Sequence, residues 1–337
     1  MKIDKHILVV GDIHLGVNKN NPLFFDTALK YADWISNICK KTGIKTIIQL
    51  GDIFHNREMV HVPTMNCANE FLTKLQDYQI HITVGNHDSL LNETCTINSL
   101  KLLNPWPNIT IHEKVTVIDD VCFCGWGTRL EDIPDNNKII FGHFDIKGFM
   151  MNGVKVSDHG FTANDLMKKC KMLISGHYHK HQERLYNKKP LIYSGSAYQL
   201  NWGESGESKY CFIVDTQTLK YRKIENKISP KFEYIKNDDD FSKVSNNIVS
   251  VEVDDVQSLD TLITKLKNHN ALDIKTTMKP IKFLSDADVV DDLSHSNENF
   301  TIIDAVEEYV SNNLTNLEKE DLVLIKDTIL NMIKTIS

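Results

Sequence analysis

Five short segments of the chain place carboxylate, imidazole and amide side chains behind a glycine in one recurring form. They read Gly11-Asp12-Ile13-His14, Gly51-Asp52-Ile53-Phe54-His55, Gly85-Asn86-His87-Asp88, Gly142-His143 and Gly176-His177-Tyr178-His179. An isolated Asp-x-His or Gly-His carries little weight, because such pairs arise by chance in most chains. Five of them in this order, each behind an apolar run, form a specific set. Mixed oxygen and imidazole donors without thiolates suit manganese, iron or zinc better than calcium, so the chemistry they point to is that of a metal centre.

The apolar runs are His6 to Val10, Thr46 to Leu50, Ile80 to Val84, Ile139 to Phe141 and Met172 to Ile174. Each is rich in β-branched or large apolar residues, which predicts a strand. Amphipathic stretches fill the gaps over the first 200 residues, and strands alternating with helices predict an α/β fold. In open α/β sheets, ligands gather where the carboxyl ends of the strands meet loops, so the five polar segments have one place to converge. Without Cβ, the glycines permit the reversal that aims the next side chain off the sheet edge.

Beyond Gly206 the pattern changes to Tyr210-Cys-Phe-Ile-Val-Asp215, Leu219 to Ile224, Asn247 to Asp255, a predicted helix from Val256 to Asn268, and Asp273 to Lys279. These read together as a small α+β unit. Leu284 to Asn299 is acidic and poor in large apolar groups, which predicts a mobile linker. Two helical segments follow, about Phe300 to Leu314 and Leu317 to Ile336. The expected division is therefore 1–210, 211–283, 284–299 and 300–337.

Composition sets outer bounds. At 41% hydrophobic and 25% charged residues the chain is of the globular class, and no run approaches the roughly 18 apolar residues of a membrane span. The N-terminus enters a strand-like run without the apolar stretch of a signal peptide, so a cytoplasmic location is expected. Seven cysteines form no Cys-x-x-Cys pair and are expected as buried thiols; Cys122 and Cys124 share one face if they lie in a strand. The net charge of −7 is uneven: residues 211–337 hold 15 Lys and Arg against 23 Asp and Glu, whereas residues 1–210 hold 23 against 22. Twelve of the fourteen histidines precede residue 211, so the chemistry belongs to the first part of the chain.

In type and order the five segments resemble the calcineurin-like metallophosphoesterases over roughly residues 1 to 200. That resemblance implies a two-sheet sandwich flanked by helices, with a small α+β cap and C-terminal helices. It implies that Asp12, His14 and His179 bind one divalent ion, that Asn86, His143 and His177 bind a second, and that Asp52 bridges both. His87 would contact the scissile phosphate or the leaving oxygen, with Asp88 orienting its ring. Two divalent ions carry about +4 and the two anionic ligands return about −2, so such a cleft attracts phosphate inside an acidic protein. His6, His61, His81, His112, His159 and His181 are read as structural.

Gly-Asp-Ile-Phe-His and Gly-Asn-His-Asp differ from the forms usual in phosphoprotein phosphatases and resemble the SbcD-type nucleases, as does Leu191 to Glu204. The context of the fourth and fifth segments narrows the resemblance to the recombination endonuclease subunit of T-even-like phages. It implies a manganese-dependent nuclease with exonuclease action on duplex ends and endonuclease action on single strands, acting in recombination and double-strand-break processing. A cap that contacts DNA, a homodimer within a heterotetramer and, for a phage-encoded chain, the host cytoplasm are implied as well. His55 resembles a substrate-contacting position of that branch, although a hydrogen bond to a ligand would account for it equally.

Leu322, Ile325, Ile329, Met332 and Ile336 are spaced as a helical seam. It suits packing on the chain's own cap as well as on a partner. By the same resemblance the partner is an SbcC-like coiled-coil ATPase. A phosphatase or cyclic-nucleotide phosphodiesterase of the same superfamily, and a metal-free binding scaffold, are the rival readings.

Overall fold

The computed structural model describes residues 2–91, 93–151, 155–235, 241–253 and 259–278. The chain opens with strands β1 (His6–Val10), β2 (Thr46–Gln49), β3 (Gln79–Thr83) and β4 (Ile109–His112), which are parallel in the order β1-β2-β3-β4. A second sheet follows: β5 (Thr116–Ile118), β6 (Val121–Cys124), β7 (Asn137–His143), β8 (Cys170–Gly176), β9 (Gln182–Tyr186) and β10 (Lys189–Tyr193). Its order is β5-β6-β7-β8-β10-β9, with β6, β7, β8 and β10 parallel and the outer strands antiparallel to their neighbours. The chain then returns to the first sheet, where β11 (Tyr210–Asp215) pairs antiparallel with β1 and β12 (Tyr221–Glu225) covers the edge.

The strands have period two, and both faces of both sheets are buried. Ile7, Val9, Ile48 and Leu50 of the first sheet meet Phe123, Ile139, Phe141, Met172 and Ile174 of the second in a core between the sheets. Leu8, Val10, Ile47, Ile80 and Ile82 face the other way, onto helices. A short turn α1 (Val17–Asn20) precedes the main helix α2 (Pro22–Thr42), and α3 (Val62–Thr73) lies beside it. Phe24, Ala28, Tyr31, Ala32, Ile35 and Cys39 recur at helical spacing and form the buried stripe of α2. Pro22 opens this helix behind the Asn21 side chain, which accepts from Leu23 N–H at 3.0 Å, and Gly43 closes it at φ 74°. On the far face of the second sheet, α4 (Ala163–Lys169) buries Leu166 and Met167 against Cys122, Ile140 and Leu173. The sandwich flanked by helices is thus the observed architecture.

The boundary expected at residue 210/211 is corrected by the pairing. Residues 210–225 form a hairpin of the first sheet, so the small α+β element begins later, with β13 (Phe232–Ile235), β14 (Ile248–Val253), α5 (Leu259–Asn268) and β15 (Asp273–Met278), as part of the same compact unit 1–279. These three strands are parallel and pack on α5 through Val249, Val251, Leu262 and Leu266. The hairpin and this element look alike in sequence, since a strand's composition does not reveal which edge it joins. The expected linker and C-terminal helices, 284–337, lie outside the described residues. All seven cysteines are free and buried, and the sulfurs of Cys122 and Cys124 lie 3.6 Å apart on one face of β6. Among the described residues no helix is long and apolar enough to cross a membrane.

Candidate active site

The carboxyl ends of β1, β2, β3, β7 and β8 meet at one end of the sandwich, and all five polar segments lie there. Asp12, His14, Asp52, Asp88 and His143 are almost fully buried, Asn86 nearly so, and His87, His177 and His179 are half-buried. Three side chains hold left-handed backbone despite carrying Cβ: His14 at φ 53°, Asp52 at φ 53° and His177 at φ 93°. Such conformations are uncommon outside glycine and persist where surrounding contacts over-determine them.

The glycines act less through conformational freedom than expected. Gly51 does reverse the chain, at φ 97°. Gly85 and Gly176 are needed because there is no room for a side chain: a Cβ on Gly85 would strike the Asp52 carboxylate, and one on Gly176 would come within 2.5 Å of Asp12 Oδ1.

The donors fall into two groups. In the first, His14 Nε2 and His179 Nε2 face one another at 2.9 Å, with Asp12 alongside. In the second, Asn86 Oδ1 lies 2.9 Å from His143 Nε2 and 2.8 Å from His177 Nδ1. Between them stands Asp52, whose Oδ2 is 3.5 Å from His14 Nε2 and 3.4 Å from His143 Nε2. Its other oxygen, Oδ1, is occupied by the His87 N–H at 2.7 Å, so a single oxygen faces both groups.

Outer partners fix the rings. His143 Nδ1–H donates to the Leu50 carbonyl at 2.7 Å, which turns Nε2 toward Asp52 and Asn86. His179 Nδ1–H donates to Glu204 Oε1 at 3.0 Å, and His14 Nδ1 meets His55 Nδ1 at 3.3 Å. The two Nε2 atoms therefore face each other across the place where an ion would sit. Asp12 Oδ1 and Asp52 Oδ2 are buried without a hydrogen-bond partner. Unpaired carboxylate oxygens in a protein interior are costly, and divalent cations would satisfy them while engaging the facing imidazole nitrogens. The residues therefore fit a pair of metal ions.

The electrostatics agree. Burial pushes His14 well below the usual histidine range, and burial together with His143 takes His177 down to about 3, so both are neutral donors. Burial also raises Asp12, to about 7, with Asp52 adding to the rise. For Asp52 burial is outweighed by the neighbouring histidines, His143 first, which hold it well below the carboxylate range. His143 moves up to about 9, because Asp52 outweighs its burial. A metal ion must displace these protons. Below pH 7 Asp12 and His143 both carry protons in the free site, and between pH 7 and 9 His143 still does; Glu204 also holds His179 above the usual histidine range despite its burial. Metal affinity is thus expected to rise with pH up to about 9, with net proton release at pH 8. Calorimetric titration with manganese in two buffers of different ionisation enthalpy checks this; equal heats in both would contradict it.

One expected role changes. Asp88 does not touch the ring of His87: its carboxylate accepts from the N–H groups of Asp52 (2.7 Å), Gly85 (3.0 Å) and Phe54 (3.0 Å), tying the loops after β2 and β3 together. The His87 ring is held instead by Nδ1–H donation to the His55 carbonyl at 2.6 Å, which leaves Nε2 as the free end. His55 stacks on His87 with centroids 5.4 Å apart and bonds to His14, so it supports both rings whether or not it meets substrate. Of the histidines read as structural, His81 and His112 are paired at 3.0 Å beneath Phe123, whereas His61 lines a pocket beside His55.

Glu204 had no role in the sequence reading. It is buried, holds His179, and is itself held by Lys209 at 2.7 Å and Ser196 at 3.0 Å. Lys209 Nζ also donates to the His179 carbonyl at 2.8 Å. Glu204→Gln is expected to weaken binding at the His179 side by about 10- to 100-fold, as loss of such supporting partners does elsewhere. Metal titration would show one of two affinities falling; two unchanged affinities would contradict it.

Residues 5–181 match the calcineurin-like phosphoesterase family. The chain is 30% identical over 273 residues to exonuclease subunit 1 of Enterobacteria phage T4, covering 74% of this chain and 77% of that protein. It is 25% identical over 246 residues to putative phosphoesterase 078R of Invertebrate iridescent virus 3, covering 66% of each. Among solved structures it is similar to the Pseudomonas putida nuclease MPE, at 14% identity and TM-score 0.33, over 60% of this chain and 83% of that one. With a family match spanning half its length, and its five polar segments gathered at one end of the sandwich, the chain belongs to the calcineurin-like phosphoesterases.

Proposed function

We propose that the chain is the nuclease subunit of a DNA recombination and double-strand-break processing machine, hydrolysing phosphodiesters with two manganese ions. The observation that carries this is the single Asp52 oxygen standing between two donor groups, with that oxygen and Asp12 Oδ1 buried and without hydrogen-bond partners. Asp12, His14 and His179 would hold one ion, Asn86, His143 and His177 the other, and Asp52 both. Such ions, when bound, polarise phosphoryl oxygens and supply a nucleophile at neutral pH. His87, fixed through Nδ1–H, would donate from Nε2–H to the phosphoryl or the leaving oxygen in its protonated form, giving up that proton to the leaving oxygen when it acts as the acid. Asp88 keeps Asp52 and the His87 loop in register. DNA as substrate is supported by the likeness to a phage exonuclease subunit.

Labelled linear duplex, single-stranded DNA and a phosphomonoester, each with manganese and with chelator, test the reading. Manganese-dependent DNA cleavage is expected; a preference for the monoester would favour a phosphatase instead.

The subunit name of the phage relative also supports a partner, for which an SbcC-like coiled-coil ATPase is proposed, with a homodimer of this chain in a heterotetramer in the cytoplasm. The seam of residues 322–336 would dock on it, and residues 232–278 would be the DNA-contacting cap. Truncation after Asn299 is expected to leave single-strand cleavage in place and to abolish ATP-stimulated cleavage of duplex ends and co-purification of the partner. A truncated chain that is insoluble, or that loses thermal stability as Ile329→Glu does without partner, would withdraw the docking proposal.

A further inference from the structure

Next to the His143 and His177 donors a cavity of about 590 Å³ opens, with His143 itself in the wall beside Trp126, Phe144, Phe161, Asp145 and Arg129. Its chemistry is wrong for a phosphate. The one cation in the lining, Arg129, is committed to Asp132 through two bonds of 3.0 Å and to Glu131 at 3.4 Å. Glu93 and Asp145 are carboxylates, and Asp145 is held in place by Ser157, Tyr178 and His159. A phosphodiester backbone entering here would meet like charge.

The remaining wall is flat and aromatic. Trp126 lies against His177, with ring centroids 4.9 Å apart, and Phe161 stands edge-on to Phe144 at 5.4 Å. The backbone of Trp126 is anchored by its N–H to Val84 O at 2.8 Å, yet its indole N–H is buried with no acceptor in the protein. On the opposite side of the centre, a pocket of about 410 Å³ beside His55 is lined by Lys19, Asn20, Asn56 and His61, and suits a charged backbone.

We infer that the aromatic cavity is a nucleobase subsite, receiving the unpaired base of a nucleotide that flanks the scissile phosphate, stacked against Trp126 and Phe161. This rests on the nuclease reading and extends it. Two features favour a base as the occupant: continuity with the catalytic centre through His143, and an aromatic wall of Trp126 and Phe161 with carboxylates nearby that can accept from exocyclic amino groups. Substrate selectivity follows: a base held in this cavity must leave its helix, so single strands and frayed ends are cleaved in preference to paired interior positions.

The test compares two substrates with manganese: bis(p-nitrophenyl) phosphate, which has no base, and a single-stranded oligonucleotide of defined sequence, intact or abasic at one residue. For wild type, an abasic residue flanking a mapped cleavage position on one side is expected to lower cleavage there. Trp126→Ala is expected to lower the ratio of oligonucleotide to bis(p-nitrophenyl) phosphate kcat/KM by about ten- to a hundredfold, the range that loss of one base stack gives. Phe161→Ala should shift the ratio the same way and Trp126→Phe should largely restore it. In Trp126→Ala the abasic residue should cost little more.

Two results overturn the subsite. One is equal loss on both substrates in Trp126→Ala and Phe161→Ala, which would mean that the aromatic wall only supports His177. The other is wild-type cleavage indifferent to abasic residues on either side. If wild type cleaves neither substrate with manganese, the nuclease reading itself fails, so the two failures are distinguishable.

Discussion

Replacing His87 by alanine is expected to lower manganese-dependent DNA cleavage about 10²- to 10⁴-fold, while the chain still binds two ions. The separation follows from the geometry. The His87 N–H donates to Asp52 Oδ1, a backbone bond that alanine keeps, and the ring is held by the His55 carbonyl rather than by any donor of either metal group. The Asp52 oxygen that faces both groups, Oδ2, is untouched by the change. Elemental analysis of the variant beside single-turnover cleavage checks the result. A variant that loses an ion would show that His87 is a ligand, and one that cleaves normally would remove it from the chemistry.

Asp52→Asn is the more severe change. The amide is nearly the same size but carries no charge and has a single oxygen, so when that oxygen accepts from the His87 N–H an NH2 group faces His14 and His143. Both donor groups depend on that atom, at 3.5 and 3.4 Å, so both ions are expected to be lost together and cleavage to fall to background. Asp12→Asn should affect chiefly the His14 and His179 side, the ion to which the proposed ligand set assigns it, although Asp12 also lies beside Asp52 and His143. Metal titration of the two variants separates these outcomes; loss of one ion in Asp52→Asn would reject the shared ligand.

Much of this site could be read from the sequence, for a physical reason. Each of the five strands is a β-branched or apolar run that ends in a glycine, and each donor stands within a few residues of that end. The observed strands His6–Val10, Thr46–Gln49, Gln79–Thr83, Asn137–His143 and Cys170–Gly176 lie where the runs placed them. Parallel strands then bring their carboxyl ends to one edge, so order along the chain becomes proximity in space.

What could not be read depends on contacts distant in sequence. Glu204 reaches His179 from 25 residues away, in a segment whose composition says only that the chain turns. Asp88 follows His87 directly, and adjacency invited the reading that it orients that ring. Its bonds to Asp52, Phe54 and Gly85 depend on how two loops cross, which local sequence does not encode. Trp126 was invisible for the same reason, since only the pairing of the second sheet sets it against His177. The hairpin of residues 210–225 was assigned to the wrong unit because its partner, β1, lies some 200 residues earlier.

Anomalous diffraction at the manganese edge, on crystals of the full chain grown with manganese, tests the shared-ligand centre most directly. Two peaks are expected, one among Asp12, His14 and His179 and one among Asn86, His143 and His177, both in contact with Asp52 Oδ2. His14, His55 and His87 also lie close enough to hold an ion. A single peak, or a peak among those three histidines in place of the expected pair, would contradict the two-ion arrangement around Asp52.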